Sequence, residues 1–66
     1  MKYTVNWHRY KYGNESDPMI GDFKYFANKE DAIVFLEKKA NRIRGIYWAG
    51  GYVEDSTGNT IYEILA

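Results

Sequence analysis

The chain has 66 residues, no cysteine, a single histidine, and nine basic and nine acidic side chains that give a formal net charge of zero. This composition excludes disulfides and thiolate metal sites, and one histidine does not support a structural zinc site. Zero net charge also argues against a protein that binds nucleic acid mainly by releasing counterions, because such proteins usually carry a clear positive excess.

The sequence carries no signal for a membrane or for secretion. No stretch approaches the roughly 18 apolar residues of a spanning helix, and residues 1–6 lack the apolar segment of a signal peptide. We therefore expect no membrane span and a cytoplasmic location, which also agrees with the lack of cysteine.

Aromatic side chains are unusually frequent, with seven tyrosines, three phenylalanines and two tryptophans. We expect residues 1–66 to form a single domain, and a chain of this size buries only about 60% of its unfolded surface. Each buried ring contributes about 150–250 Å² of area, so aromatic packing can stabilise the domain without disulfides or metal. The number of rings also exceeds what one small core is expected to hide.

Two strands are predicted in the first part of the chain. Residues 2–10 alternate, with Tyr3, Val5 and Trp7 on one face, and this period of two is typical of a strand. A polar loop follows and ends at Pro18. Residues 19–26 form the second predicted strand, with Phe23 and Tyr25 facing inward, and the two strands are expected to pair as an antiparallel hairpin with a long loop.

A helix is predicted over residues 29–44. Asn28 is the N-cap candidate, and Glu30 and Asp31 place negative charge in the first turn, where the helix dipole favours it. Gly45 is the expected stop. An apolar stripe recurs at helical spacing and comprises Ala32, Phe35, Leu36, Ala40 and Ile43.

Two further strands complete the predicted fold. Residues 46–54 form the third strand, in which Gly50 and Gly51 indicate a bulge or a close approach of two backbones. Residues 55–59 form a tight turn with Gly58 at positive φ. Residues 60–65 form a fourth strand that is apolar on both faces, which favours a central position or a second buried face. The predicted fold class is α+β, in the order β-β-α-β-β, with a four-stranded antiparallel sheet and one helix packed on one face.

One helix covers only one face of such a sheet, so the rings must divide between two faces. The helix side is predicted to take Val5, Trp7, Phe23, Tyr25, Trp48 and Val53. The opposite face is predicted to take some of Tyr10, Phe26, Tyr47, Tyr52 and Ile61. Contiguous exposed apolar surface usually marks an interaction site.

Residues 7–12 interleave rings with basic side chains, a combination that single-stranded nucleic-acid sites use for stacking and phosphate contact. Neighbouring residues of a strand point to opposite faces, however, so Trp7 and Arg9 are separated from His8 and Tyr10. The run therefore predicts two half-motifs rather than one platform.

The sequence favours neither catalysis nor a cofactor. His8 is the single histidine, and both serines, Ser16 and Ser56, lie in predicted loops, which leaves no candidate triad. A domain this small also has little room for a pocket of about 300 Å³ or more. The segment 55–59 does not match the spacing of a calcium loop. We therefore predict no catalytic residue, no metal site and no cofactor.

The leading hypothesis is a small non-enzymatic module that binds a protein partner or a second copy of itself. Interfaces favour Tyr, Trp and Arg, and on this basis the predicted binding residues are Arg9, Tyr10, Tyr47, Trp48, Tyr52, Arg42 and Arg44. One alternative is a nucleic-acid-binding module that stacks bases on exposed rings flanked by Arg9, Lys11 and Lys24. Another is a structural homodimer subunit.

The composition leans on Lys, Ile, Asn and Tyr and in this respect resembles small proteins of AT-rich bacterial or phage genomes. This resemblance is compositional and involves no motif. It suggests the further hypothesis of a phage- or mobile-element-encoded modulator of a host protein.

Overall fold

The computed structural model describes residues 2–14, 16–43 and 45–66. Within them the elements in chain order are β1 (Tyr3–Tyr10), β2 (Met19–Phe26), α1 (Lys29–Ile43), a 3-10 turn (Gly45–Tyr47), β3 (Trp48–Glu54) and β4 (Thr60–Ile64). The strands form one antiparallel sheet in the order β2-β1-β3-β4. The predicted α+β architecture is confirmed.

The core lies between α1 and one face of the sheet. Val5 and Trp7 of β1 and Val53 of β3 meet Ala32 and Leu36 of the helix. This arrangement confirms the predicted inward faces of β1 and β3 and the predicted apolar stripe of the helix. We call this side of the sheet the inner face and the other side the outer face.

The start of α1 follows from its capping residue. The side-chain oxygen of Asn28 accepts hydrogen bonds from the backbone N–H groups of Glu30, at 2.8 Å, and Asp31, at 3.3 Å. These two donors have no partner inside the helix, so the cap replaces the water that they would otherwise bind. The predicted N-cap is confirmed. Arg44, the predicted last residue of the helix, lies outside the described residues.

The faces of β2 are the reverse of the prediction. Tyr3 pairs with Phe26 and Asn6 pairs with Phe23, so Phe26 lies on the inner face while Phe23 and Tyr25 lie on the outer face. Phe26 packs against Phe35 of α1, with ring centroids 5.1 Å apart. The assignment is wrong because β2 has rings in both alternating positions, and only its register with β1 decides which set faces the helix.

β4 occupies an edge of the sheet, so the central position, one of the two predicted alternatives for this strand, is wrong. Tyr62 pairs with Val53, but the register shifts at the next pair, where Thr60 lies opposite Glu54. Ile61 is therefore the extra residue of a bulge, and it also packs against the core. The bulge explains why neighbouring apolar residues of an edge strand are all partly buried.

The glycine pair in β3 combines both of the predicted features. Gly50 has a φ of 109° at a register shift between β1 and β3, which identifies a bulge. A Cβ atom on Gly51 would lie 2.6 Å from the Leu36 Cδ1 atom and 2.9 Å from the Asn6 carbonyl oxygen. The absence of a side chain at Gly51 thus allows the helix and the sheet to approach closely.

Over the described residues, no helix is both long enough and apolar enough to cross a membrane.

Candidate protein-binding surface

The pairing of the strands brings several large side chains together on the outer face. Asn6 of β1 lies between Phe23 of β2 and Tyr52 of β3. On the same face, Thr4 pairs with Tyr25 in the adjacent row, and Tyr10 pairs with Met19 two rows away on the other side. We call the group Met19, Phe23, Tyr25, Tyr10 and Tyr52 the outer patch.

The β2 members of the outer patch are unusually exposed. Met19 is 59% exposed, Phe23 is 56% and Tyr25 is 53%, whereas Tyr10 and Tyr52 are half-buried. A single exposed apolar residue is normal on a protein surface, but a contiguous group indicates a site of interaction. Since α1 packs on the inner face, it leaves these side chains open to solvent.

Local contacts hold the exposed rings in place. The rings of Phe23 and Tyr25 meet edge to face, with centroids 5.4 Å apart. The Lys2 ammonium group lies 4.1 Å from the centroid of the Tyr25 ring, which is close enough for a cation–π contact. The outer patch is thus partly ordered before any partner binds.

His8 fills the gap between Met19 and Phe23. The residue between them in the same face of β2 is Gly21, which pairs with His8. The imidazole ring lies 3.1 Å from the position that a Cβ atom of Gly21 would occupy. The outer patch is therefore continuous along β2, although its middle residue has no side chain.

The strand β2 also forms a free edge of the sheet. One hydrogen bond shows which of its residues direct their backbone groups to β1 and which direct them to the edge. The Lys11 N–H group donates to the Pro18 carbonyl at 3.1 Å, so even-numbered residues of β2 bond to β1. The odd-numbered residues must then direct their backbone groups to the free edge. In agreement, the Phe23 N–H group donates to the Asp22 carboxylate at 2.8 Å instead of to β1.

Of the predicted binding residues, Trp48 belongs to the core. It is 7% exposed, and its indole N–H donates to the Leu65 carbonyl at 3.1 Å. The bulge in β3 places it opposite Arg9 on the inner face, where its ring approaches Gly51. Trp48 therefore lies on the inner face, as its helix-side assignment predicted, and not on the exposed binding surface, while Tyr10 and Tyr52 lie on the outer face as expected.

The other described members of that set come together elsewhere. Arg9, Arg42 and Tyr47, with Ile43, line an open cavity near the end of α1, and its volume of about 300 Å³ is larger than the sequence predicts for a domain of this size. Tyr47 belongs to the 3-10 turn and not to the outer face. Arg44, the remaining predicted member, lies outside the described residues.

Two of the three basic residues that were predicted to flank the exposed rings lie on the inner face instead. Lys24 pairs with Val5 and lies 5.0 Å from the Phe35 ring centroid. Arg9 lies opposite Trp48 and is therefore also on the inner face. The predicted grouping of Arg9 and Lys24 beside the exposed rings of the opposite face is therefore wrong.

Sequence reasoning missed Met19, Phe23 and Tyr25 as surface residues. Their positions alternate with Ile20, Asp22 and Lys24, and an apolar set opposite a charged set is typical of a core-facing strand. The relevant signal was Phe26, a ring in the charged set. The long loop over residues 11–18 does not fix the register as a two-residue turn would.

No known protein family, curated protein or solved structure matches this chain. No ligand, partner or residue role can therefore be transferred to it from a relative. The function is inferred from the outer patch and the free edge beside it.

Proposed function

We propose that this chain is a small non-enzymatic protein-binding module and that its contact surface is the outer patch together with the free edge of β2. The observation that supports the proposal is the exposure of Met19, Phe23 and Tyr25 by more than half on a face that α1 does not cover. The proposal includes the cytoplasmic location and the role as a phage- or mobile-element-encoded modulator that the sequence suggests.

The composition of the outer patch suits a protein partner. Phe and Tyr supply large contact areas with few rotatable bonds, and burying apolar surface contributes about 25 cal/mol per Å². Polar groups border these rings, with Lys2 beside Tyr25 and Glu63 paired with Tyr52. An apolar centre with a polar rim is the usual organisation of a protein interface.

Nucleic-acid binding has less support from the same geometry. Its stacking site needs cations beside the exposed rings. Lys2 lies beside Tyr25, but Arg9 and Lys24, which were predicted to flank the site, lie on the inner face. The outer face instead carries Glu54, opposite Thr4, and Glu63, opposite Tyr52. Carboxylates at these positions repel a polyanion.

Site-specific photocrosslinking tests the proposal. A benzophenone amino acid replaces Tyr25 in the chain expressed in its native cells, and the matched control carries the same group at Val34, which is exposed on α1. We expect protein adducts from position 25 and none from position 34. Phe23→Ser in the first chain should reduce the adduct yield without a large change in melting temperature, because Phe23 is exposed.

Equal adduct yields from positions 25 and 34, or no adducts from position 25, would show that the outer patch is not a binding surface. A large drop in melting temperature for Phe23→Ser would place that ring in a structural role. Mass spectrometry of the adducts separates a second copy of the chain from a different protein.

A further inference from the structure

We infer that the occupant of the free β2 edge is a second copy of this chain, bound by antiparallel pairing of the two β2 strands with Phe23 opposite Phe23. The pairing joins two four-stranded sheets into one continuous sheet. This inference rests on the proposed function, since it names the partner of the same surface.

The backbone of β2 is suited to this pairing. The strand has eight residues and contains no proline, and seven of these residues are exposed. Gly21, Phe23 and Tyr25 direct their N–H and C=O groups outward, as the Lys11–Pro18 and Phe23–Asp22 hydrogen bonds require. An unblocked edge of this length is a template for another strand.

Charge selects the register of the two strands. Asp22 and Lys24 are the charged residues of β2, and both lie on the inner face. With the two-fold axis at Phe23, Asp22 of each copy lies opposite Lys24 of the other. If the axis passes through Asp22 instead, the two Asp22 residues face each other. If it passes through Lys24, the two Lys24 residues face each other. Directly opposed unlike charges stabilise a sheet, and like charges destabilise it.

The same register also matches the outer-face side chains. Phe23 meets Phe23, and Tyr25 lies opposite Gly21 of the second copy. A ring opposite a glycine is a known stabilising arrangement in sheets. The His8 imidazole, which lies over Gly21, gives the incoming Tyr25 ring an apolar contact. Phe23 and Tyr25 of each copy would therefore lose part of their exposed surface to the other copy.

Asp22 has a different role in the free chain and in the pair. In the free chain its carboxylate accepts the outward Phe23 N–H group and so satisfies one donor of the open edge. In the pair, that N–H donates to the Phe23 carbonyl of the second copy. The Asp22 carboxylate then becomes free to bind Lys24 of the second copy. The Phe23 N–H group therefore has an acceptor in both states.

A charge-swap series tests the register by light scattering over a dilution series. The wild type should show twice the 7.8 kDa mass of the chain at high concentration. Asp22→Lys and Lys24→Asp alone each create like-charged pairs and should weaken association by about tenfold or more. The double variant restores opposite charges and should recover dimerisation. In either neighbouring register, the double variant still opposes like charges.

A cysteine pair gives an independent measurement. The chain has no cysteine, so Phe23→Cys introduces a single thiol. Directly opposed hydrogen-bonded residues have Cα atoms about 5.5 Å apart, which suits a disulfide. The matched control is Tyr25→Cys, which is on the same face but lies about 14 Å from its counterpart in this register. We expect rapid oxidative crosslinking of Phe23→Cys only.

A wild type that is monomeric throughout the series overturns the inference, as does a double variant that fails to recover association. Faster crosslinking of Tyr25→Cys would reject the register. Circular dichroism melts of every variant show whether it is folded. A monomer that still gives position-25 adducts with another protein rejects the dimer but retains the proposed function, whereas a monomer without adducts rejects both.

Discussion

Gly51 shows how closely single residues are fitted between the helix and the sheet. It pairs with Trp7 on β1, and its missing side chain leaves the space that Leu36 occupies. Trp48 borders the same space, 3.0 Å from the position of a Cβ atom. The packing of α1 against β3 therefore depends on this position having no side chain.

We expect Gly51→Ala to destabilise the protein by about 1–3 kcal/mol, because the added methyl group overlaps both a side chain and the Asn6 backbone. The measurement is the free energy of unfolding in urea. Gly21→Ala is the matched control, since its Cβ atom meets only the His8 ring at 3.1 Å and this side chain can move. Equal losses for the two variants would contradict the close approach at Gly51.

Trp48 illustrates a residue whose place depends on its surroundings. Tryptophan is common both in cores and in interfaces, since its large ring is apolar and its N–H is polar. Here the Trp48 N–H donates a hydrogen bond to the Leu65 carbonyl, so the ring can be buried without leaving an unpaired donor. Nothing local in the sequence indicates that Leu65 supplies this acceptor.

At the scale of elements, the β3–β4 turn is stabilised by one carboxylate. Asp55 accepts hydrogen bonds from the hydroxyl and N–H groups of Thr57 and from the N–H of Asn59. The Thr57 hydroxyl is the largest cause that lowers the pKa of Asp55 below its usual 3.8, followed by the Asn59 backbone. The turn therefore favours the ionised carboxylate.

This lowered pKa gives a pH dependence of known sign. The folded chain holds the Asp55 proton less tightly than the unfolded chain, so the contribution to stability is present above pH 3.8 and is lost as pH falls through the lower folded pKa. We expect Asp55→Asn to reduce stability at neutral pH and to flatten this acid dependence. Thermal melts at pH values from neutral to strongly acidic measure it.

Glu63→Gln is the matched control for the turn, because it removes an exposed carboxylate on the neighbouring strand β4. We expect it to leave most of the acid dependence intact. The assignment to Asp55 would be refuted if Asp55→Asn and the wild type showed parallel losses of melting temperature down to strongly acidic pH.

The elements themselves were largely predictable. The helix is set by its Asn28 cap and apolar stripe, and the strand β2 has the predicted bounds. The third strand starts at Trp48 rather than at residue 46, because Gly45–Tyr47 forms a 3-10 turn first. These features depend on residues a few positions apart, and such short-range interactions are visible in a sequence.

At the scale of the whole molecule, one thin layer of side chains holds the helix to the sheet. The described chain spans 36 × 19 × 15 Å, and its fully buried large side chains are Leu36, Val5 and Val53. A domain of this size has a free energy of unfolding of about 3–10 kcal/mol. Each member of this layer therefore accounts for a large part of the stability.

We expect Leu36→Ala to destabilise the whole domain by about 2–5 kcal/mol, because it leaves a cavity between α1 and the sheet. Far-UV circular dichroism and tryptophan fluorescence should report the same unfolding transition, since the helix and the sheet share this core. Val34→Ala, on the exposed side of the same helix, is the matched control and should have little effect. A sheet signal that survives loss of the helix would refute a single cooperative core.

The candidate surface was only partly predictable from the sequence. The excess of rings indicated that an exposed aromatic face exists, and alternation placed Tyr10 and Tyr52 on it. Phe23 and Tyr25, two of its three most exposed members, were assigned to the core. The error arose in β2, where a shift of one residue in register exchanges the two faces completely.

The sequence by itself determined the order of the elements, the helix cap at Asn28 and the turn at Asp55, because local hydrogen bonds and periodicity specify them. The tertiary structure alone decided which face of β2 meets the helix, that the Leu65 carbonyl accepts the Trp48 N–H, and that β4 is an edge. These outcomes depend on pairing between residues far apart in the chain, and the long β1–β2 loop leaves that pairing free until the strands pack together.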